Sequence, residues 1–408
     1  MRLEFNNRRQ CVAGVVALGL CVAVRVHGAD VEIVKQGSIK TALSLKGMRV
    51  DAQAGSKTFL QVLEADLKRS GWFEMSAGGA SVAVSGSCRG SDGRLSGQCN
   101  VANTITGKTL LSQPLRATAT EARQLAHRTA DAIVKAVKGV PGIASTQIVM
   151  VGARVGRQDL YLCDADGGRL RRATHDGAVC LSPTWGQGVS DILYTSFHNG
   201  YPDAYRINLG GGRRTRLAAY PGLNSGAVLS PDGRRIAVTL SKDGNPDLYV
   251  KDLKSGVLSR ITRTPYAAEA SPSWSPDGRQ LVFVSDRSGR PQLYVQAVHG
   301  KTAKRLTYEG RENAAPDWAS DGRIAYSSRR GGVYEICLYD PVSRRHSQLT
   351  DGSADWEDPS WAPDSRHIVC TRTAGYRSHL YILDVLGDPP LRLTTSEGDW
   401  YSPDWSSQ

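Results

Sequence analysis

Along most of the chain, apolar and polar residues alternate in short runs broken by turn residues. Arg235-Ile-Ala-Val-Thr-Leu240 and Gln280-Leu-Val-Phe-Val-Ser285 follow the strand period of two, and each comes after a Ser-Pro-Asp-Gly turn, at Ser230 and Ser275. Ala319-Ser-Asp-Gly322 and Ala362-Pro-Asp-Ser365 supply the same punctuation in two further units. Six aligned stretches end at Trp185, Leu229, Trp274, Trp318, Trp361 and Trp405, spaced 44, 45, 44, 43 and 44 residues apart, and these turns follow four of them. A third strand recurs at Leu160-Tyr-Leu162, Ala204-Tyr-Arg206, Leu248-Tyr-Val250, Leu293-Tyr-Val295, Ile336-Cys-Leu338 and Leu380-Tyr-Ile382. A fourth is marked by Arg172, Arg216, Arg260, Arg305, Gln348 and Arg392. Four strands in each of six units predict an all-β six-bladed β-propeller over residues 146–408. The first unit has no Trp-bearing strand of its own, so the strand at Trp405 is expected to complete that blade and close the ring.

Residues 30–140 lack this period. Phe59, Val62, Leu63 and Leu67 form a helical stripe, with Ser56 as its expected N-cap and Gly71 as its stop. A second helix is predicted from about residue 120 to 137, with Leu125, Thr129, Ile133 and Val137 inward, and strand-like pieces fall at 81–87, 98–104 and 108–116. The fold class is therefore two-domain, a small N-terminal α/β domain followed by the propeller, with Gly139-Val-Pro-Gly-Ile-Ala-Ser145 as linker.

The first 29 residues read differently. Arg2, Arg8 and Arg9 precede an apolar run from Cys11 to Val24 and small residues at Gly28 and Ala29, the layout of a cleaved secretory signal peptide. Export changes the meaning of the charge. Removing residues 1–29 lowers the net charge from +12 to +9, and in an exported protein that basicity meets anionic envelope surfaces or acidic protein patches rather than nucleic acid. Six cysteines then remain: Cys88, Cys99, Cys163, Cys180, Cys337 and Cys370. An oxidising compartment permits disulfides, and Cys88 with Cys99, flanking the hairpin turn Arg89-Gly-Ser-Asp-Gly-Arg94, is the expected pair.

No reaction centre stands out. The chain has no Gly-x-Ser-x-Gly elbow, no phosphate-cradling glycine loop and no His-Glu-x-x-His, and its eight histidines are scattered. Asp164-Ala-Asp-Gly167 and the repeated Asp-Gly pairs are read as turn chemistry, so neither metal nor cofactor is expected.

The Pro-x-Trp-Ser-Pro-Asp-Gly units, the segment Glu64-Ala-Asp-Leu-Lys-Arg-Ser-Gly-Trp-Phe73 and the run Leu240-Ser-Lys-Asp-Gly-Asn-Pro-Asp-Leu-Tyr-Val250 together resemble the TolB family of the Tol-Pal system. The resemblance covers essentially all of residues 30–408. It implies a non-enzymatic, monomeric periplasmic adaptor, not inserted in the membrane, that supports outer-membrane integrity and constriction at division. Its implied partners are Pal, the peptidoglycan-associated lipoprotein, on one propeller face and TolA at the mature N-terminus, with other outer-membrane proteins as further partners. The Pal face corresponds to Leu223, Asn224, Gly226, Glu269 and Ala270, and Tyr266, Arg311, Asn313, Trp356 and Trp400 occupy equivalent loops. Glu312 and Tyr401 adjoin them. For Trp356 and Trp400, packing between blades is the competing reading. The TolA segment corresponds to Asp30, Val31, Glu32, Ile33, Val34 and Lys35, whose alternation suits an added strand on a partner's sheet. The alternative function is a propeller hydrolase with a metal at the channel mouth, for which Glu269, Asp317, Glu357 and Asp358 are the candidate ligands.

Overall fold

Two different rules of burial build the two parts of the computed structural model, which describes residues 39–407 apart from 155, 156, 176 and 187. The signal-peptide stretch and the segment Asp30–Lys35 lie outside the described residues.

In the N-terminal part, β1 (Thr41–Val50), β2 (Phe73–Met75), β3 (Val82–Ser91), β4 (Arg94–Asn103) and β5 (Thr109–Thr118) form one sheet in the order β2-β1-β3-β4-β5. β1 runs parallel to both of its neighbours, and the β3-β4-β5 meander is antiparallel. Helices α1 (Ala54–Arg69) and α2 (Ala122–Lys138) cover one face, burying Phe59, Leu63, Leu67, Leu125 and Ile133 against Leu43, Val84, Val101 and Leu115. Removing these side chains from water is the main stabilising term of this domain.

The helix starts differ from expectation. Ser56 is not the N-cap: α1 begins at Ala54, and Ser56 is buried in its first turn. Asp51, just before the helix, accepts from the Gln53 and Gly90 amides at 3.2 and 2.8 Å, which ties the start of α1 to β3. Before α2, the Thr118 amide donates to the Glu121 carboxylate at 3.0 Å, half of a capping box. Gly71, at φ +67°, follows the last turn of α1 in a conformation that ends the helix without a Cβ clash.

The expected Cys88–Cys99 disulfide is absent, and both thiols are free and buried. The register explains this. Cys88 lies opposite Gly97 and Cys99 opposite Gly86, so the two are diagonal neighbours rather than a facing pair. Diagonal positions stand roughly 7–8 Å apart, beyond the reach of a disulfide. Burial pushes both thiols up to about 11.

Residues 139–145 do not form a free tether. The Asp131 carboxylate on α2 accepts from the Ala144 and Ser145 amides at 2.8 and 2.9 Å, holding the connection against the helix.

The propeller has six four-stranded antiparallel blades. Blade one combines Asp399–Trp405 as its innermost strand with Gln147–Arg154, Arg157–Asp164 and Arg171–Arg172, so the two ends of the repeat region share a sheet. Blades two to six begin with the inner strands Cys180–Trp185, Asn224–Leu229, Glu269–Trp274, Asn313–Trp318 and Asp355–Trp361. Each of the six inner strands carries a bulge at a residue with positive φ: Ser182, Gly226, Ser271, Ala315, Asp358 and Ser402.

Beyond the bulge, side chains lock neighbouring blades together around the channel. The Trp185 and Trp361 amides donate to Asp404 and Asp317, both at 2.7 Å, and the Trp318 and Trp405 amides donate to Ser273 and Ser360. The Arg-x-Thr marks of the fourth strand have a matching role farther out. Thr174, Thr262, Thr307, Thr350 and Thr394 each accept the amide of the third strand's Leu or Ile at 2.9–3.0 Å.

Candidate partner-binding face

The topology sorts the connections onto two ends of the propeller. Loops from a blade's fourth strand to the next blade's first lie beside the loops between strands two and three: the Asn224, Glu269 and Asn313 amides donate to the carbonyls of Pro202, Pro246 and Pro291. The hairpins between strands one and two, and the loops between strands three and four, lie at the opposite end.

That opposite end is occupied by the N-terminal domain. Arg366, buried in the blade-six hairpin, donates to the Gly71 carbonyl at 3.0 Å, pairs with Asp384 at 2.6 Å, and stacks over Trp72 at 4.2 Å. Lys40 pairs with Asp388 and Arg123 with Asp166, each at 2.7 Å. Among the described residues, Asp66, His127 and Asp166 are the group close enough to hold a metal. Their charges are already matched within the protein: His127 Nδ1 lies 2.7 Å from Asp66, Arg123 holds Asp166, and Arg169 holds the adjoining Asp164. The arrangement works as an ionic joint between the domains.

The first end is open, and it carries exposed aromatic side chains. Phe197 and Tyr201 stand on the blade-two loop, Tyr266 and Tyr308 on the loops leaving blades three and four, and Tyr376 on the blade-six loop. Tyr266 and Tyr376 are fully exposed. The propeller's exposed large aliphatics at the other end, Val257 and Val342 among them, include no aromatic among the described residues. Aromatic and Arg side chains are the usual anchors of protein interfaces, so this end has the composition of a docking face.

The residues singled out from sequence divide sharply on this face. Tyr266, Ala270 and Arg311 are exposed, and Leu223 and Gly226 are half-buried. Asn224, Glu269, Asn313, Trp356 and Trp400 are buried. Those five, with Cys180, occupy one position of the repeat, five residues before the anchor at the end of each inner strand. There they form a layer beneath the loops. Asn224 bonds the carbonyls of Pro202, Tyr220 and Gly222, and Glu269 accepts from Ser285 and Arg287. Trp356 meets Tyr381 edge-on at 5.4 Å, and Trp400 meets Tyr161 at 5.0 Å. Half-buried Glu312 accepts the Tyr334 hydroxyl at 2.8 Å, and Tyr401 is half-buried. The sequence reading missed Phe197, Tyr201, Tyr308 and Tyr376; the signal for them is an aromatic inside a Gly- or Pro-bearing loop.

The acids considered for a channel metal do not gather into a ligand set. Glu269 is taken by Arg287, Asp317 accepts from the Trp361 amide and Ser273, and Asp358 accepts from Ser402. Burial, followed by the charges of Asp358 and Asp355, pushes Glu357 up to about 7.

Residues 134–408 match the family model described as the TolB beta propeller domain. The chain belongs to the TolB family. A Protochlamydia amoebophila protein named "Protein TolB homolog" is 36% identical over 261 residues, 58% of this chain and 56% of that protein. An Anaeromyxobacter dehalogenans "Tol-Pal system protein TolB" is 34% identical over 205 residues, 50% of this chain and 46% of that protein. The chain thus spans about half the length of the curated relatives it matches. The crystal structure of TolB from Acinetobacter baumannii superposes with a TM-score of 0.81 at 27% identity, covering 92% of this chain and 99% of that one. The TolB likeness therefore extends over both domains, not the propeller alone.

Proposed function

We propose that this TolB-family chain is a non-enzymatic component of the Tol-Pal system in the periplasm. The open propeller face binds the peptidoglycan-associated lipoprotein Pal, and residues 30–35 contact TolA, supporting outer-membrane integrity and constriction at division. The observation that carries this reading is the segregation of the exposed aromatics onto the propeller end that the N-terminal domain leaves free. Family membership and the relatives' names support the assignment to Tol-Pal. The binding face centres on Tyr266, Ala270 and Arg311, with Leu223 and Gly226 at its inner edge, and the buried layer of Asn224, Glu269, Asn313, Trp356 and Trp400 supports the loops from below.

The test is calorimetric titration of residues 30–408 with the soluble domain of Pal. Saturable one-to-one binding is expected. Tyr266→Ala and Arg311→Ala should each weaken it roughly tenfold or more, the range of an interface anchor, whereas Val342→Ser on the opposite end should leave it unchanged. Absence of saturable binding by the parent, or equal loss in Val342→Ser, refutes the proposal. For TolA, deletion of residues 30–35 should abolish binding to its soluble domain while leaving Pal binding intact.

A further inference from the structure

A change in the repeat at blade four creates a site. In blades one, two and three the third strand carries an aspartate at or near its start, and this aspartate pairs with the fourth-strand arginine: Asp159 with Arg172 at 2.8 Å, Asp203 with Arg216 at 3.5 Å, and Asp247 with Arg260. In blade four the equivalent residue is Gln292. Gln292 keeps the structural half of the role, accepting from Thr307 at 2.8 Å as Asp159 and Asp247 accept from Thr174 and Thr262. It cannot supply the charge. Arg305 therefore has no carboxylate partner among the described residues and lies over Tyr308, with 4.7 Å to the ring centroid.

The unmatched charge is concentrated rather than dispersed. Arg305 lines a cavity of about 320 Å³ on the open face between blades four and five, together with Arg290, Arg311, Tyr308 and Gln292. No carboxylate is among its lining residues. The neighbouring acids are committed elsewhere, Glu309 to Arg330 at 3.8 Å and Glu312 to Arg329 at 3.7 Å. Three guanidinium groups around one concavity, with a ring forming part of its wall, match a carboxylate in both charge and fork geometry.

We propose that this cavity is a carboxylate-binding subsite that takes an acidic side chain of the protein seated on the open face. The proposal deepens the adaptor reading and rests on it for the identity of that protein. A carboxylate entering here replaces the aspartate that blades one to three carry internally, so its recognition follows from the change to Gln292 in blade four.

That symmetry also supplies the test. Gln292→Asp installs the Asp–Thr–Arg arrangement of blades one to three, which this fold already accommodates, and should quench the pocket without unfolding the blade. Two measurements on residues 30–408 are made with the parent, Gln292→Asp and Arg311→Gln, each checked for an unaltered melting temperature. Calorimetry with the soluble domain of Pal should show roughly tenfold weaker binding in both variants, as for loss of one charge-assisted hydrogen bond. Arginine side-chain NMR signals, followed while adding acetyl-Glu-Asp-Glu-amide or inorganic phosphate, should move with the peptide in the parent and stay still in Gln292→Asp. Unchanged Pal affinity in Gln292→Asp overturns the subsite and leaves the adaptor reading standing. Peptide binding without any Pal binding retains the subsite and removes the adaptor reading. Signals that answer phosphate but not the peptide overturn the carboxylate assignment.

Discussion

Neutralising Asp404 should make the propeller more stable above neutral pH and leave it nearly unchanged at about pH 4 and below. Asp404 lies on the strand that closes the ring, where it accepts from the Trp185 amide at 2.7 Å and from Ser360 at 3.2 Å. Burial, reinforced by the charge of Asp317, pushes its carboxyl from an ordinary 3.8 up to about 7. The sign follows from linkage: between about pH 4 and pH 7 the folded chain holds a proton that the unfolded chain has released, so this contribution is lost as pH rises through that window. A rise of about three pH units, at about 1.4 kcal/mol each, sets a ceiling of about 4 kcal/mol. Asp404 keeps partial exposure to the channel, and screening there lowers the expected loss to about 1–4 kcal/mol. Asparagine retains an acceptor for Trp185 and carries no charge. Asp404→Asn should therefore melt about 2–8 °C above the parent at pH 8, and match it within about 2 °C at pH 4, by scanning calorimetry. Asp404→Ala, which also strands the Trp185 amide, should be about 1–3 kcal/mol less stable than Asp404→Asn at both values. A parent protein that melts at or above Asp404→Asn at pH 8 would refute the reasoning.

Three further outcomes are expected. Arg366→Ala leaves Asp384 buried without its guanidinium and removes the stack on Trp72; a loss of about 3–5 kcal/mol, and faster proteolytic cleavage within residues 139–145, should follow, and unchanged cleavage would show that the joint does not depend on this arginine. Trp356→Ala should cost about 3–5 kcal/mol in urea unfolding yet disturb Pal binding less than Tyr266→Ala, because the indole is buried; a larger binding defect in Trp356→Ala would place the indole in the interface. Cys88 and Cys99 should resist thiol reagents in the native protein, and reductant should leave the melting temperature within about 1 °C; mass analysis of unreduced, denatured protein showing both thiols oxidised would contradict this.

Much of this architecture is local, and local structure is written in local residues. A Pro-Asp-Gly turn followed by alternating apolar positions makes a hairpin wherever it occurs, and six repeat units about 44 residues apart leave few ways to bury every blade except a closed ring. The helical stripes on α1 and α2 are legible for the same reason. β1 was not, because its pairing with β3 shifts register between Ser44 and Gly47 and interrupts the alternation that marks a strand. The binding face was legible as a set of loops but not as a set of side chains. A positive-φ bulge in every inner strand accompanies an inward position for Asn224, Glu269, Asn313, Trp356 and Trp400, and no hydrophobicity pattern announces a left-handed residue at Ser271, Ala315 or Ser402. Tyr201 and Tyr376 share a face only because the ring closes between strands more than two hundred residues apart in the chain. Sequence by itself determined the repeat, the fold class and the kinship with TolB, since each rests on contacts within one turn or hairpin. Tertiary structure alone decided which end lies open, which named residues reach it, and that Gln292 leaves Arg305 without a carboxylate, since each depends on contacts between strands, blades or domains.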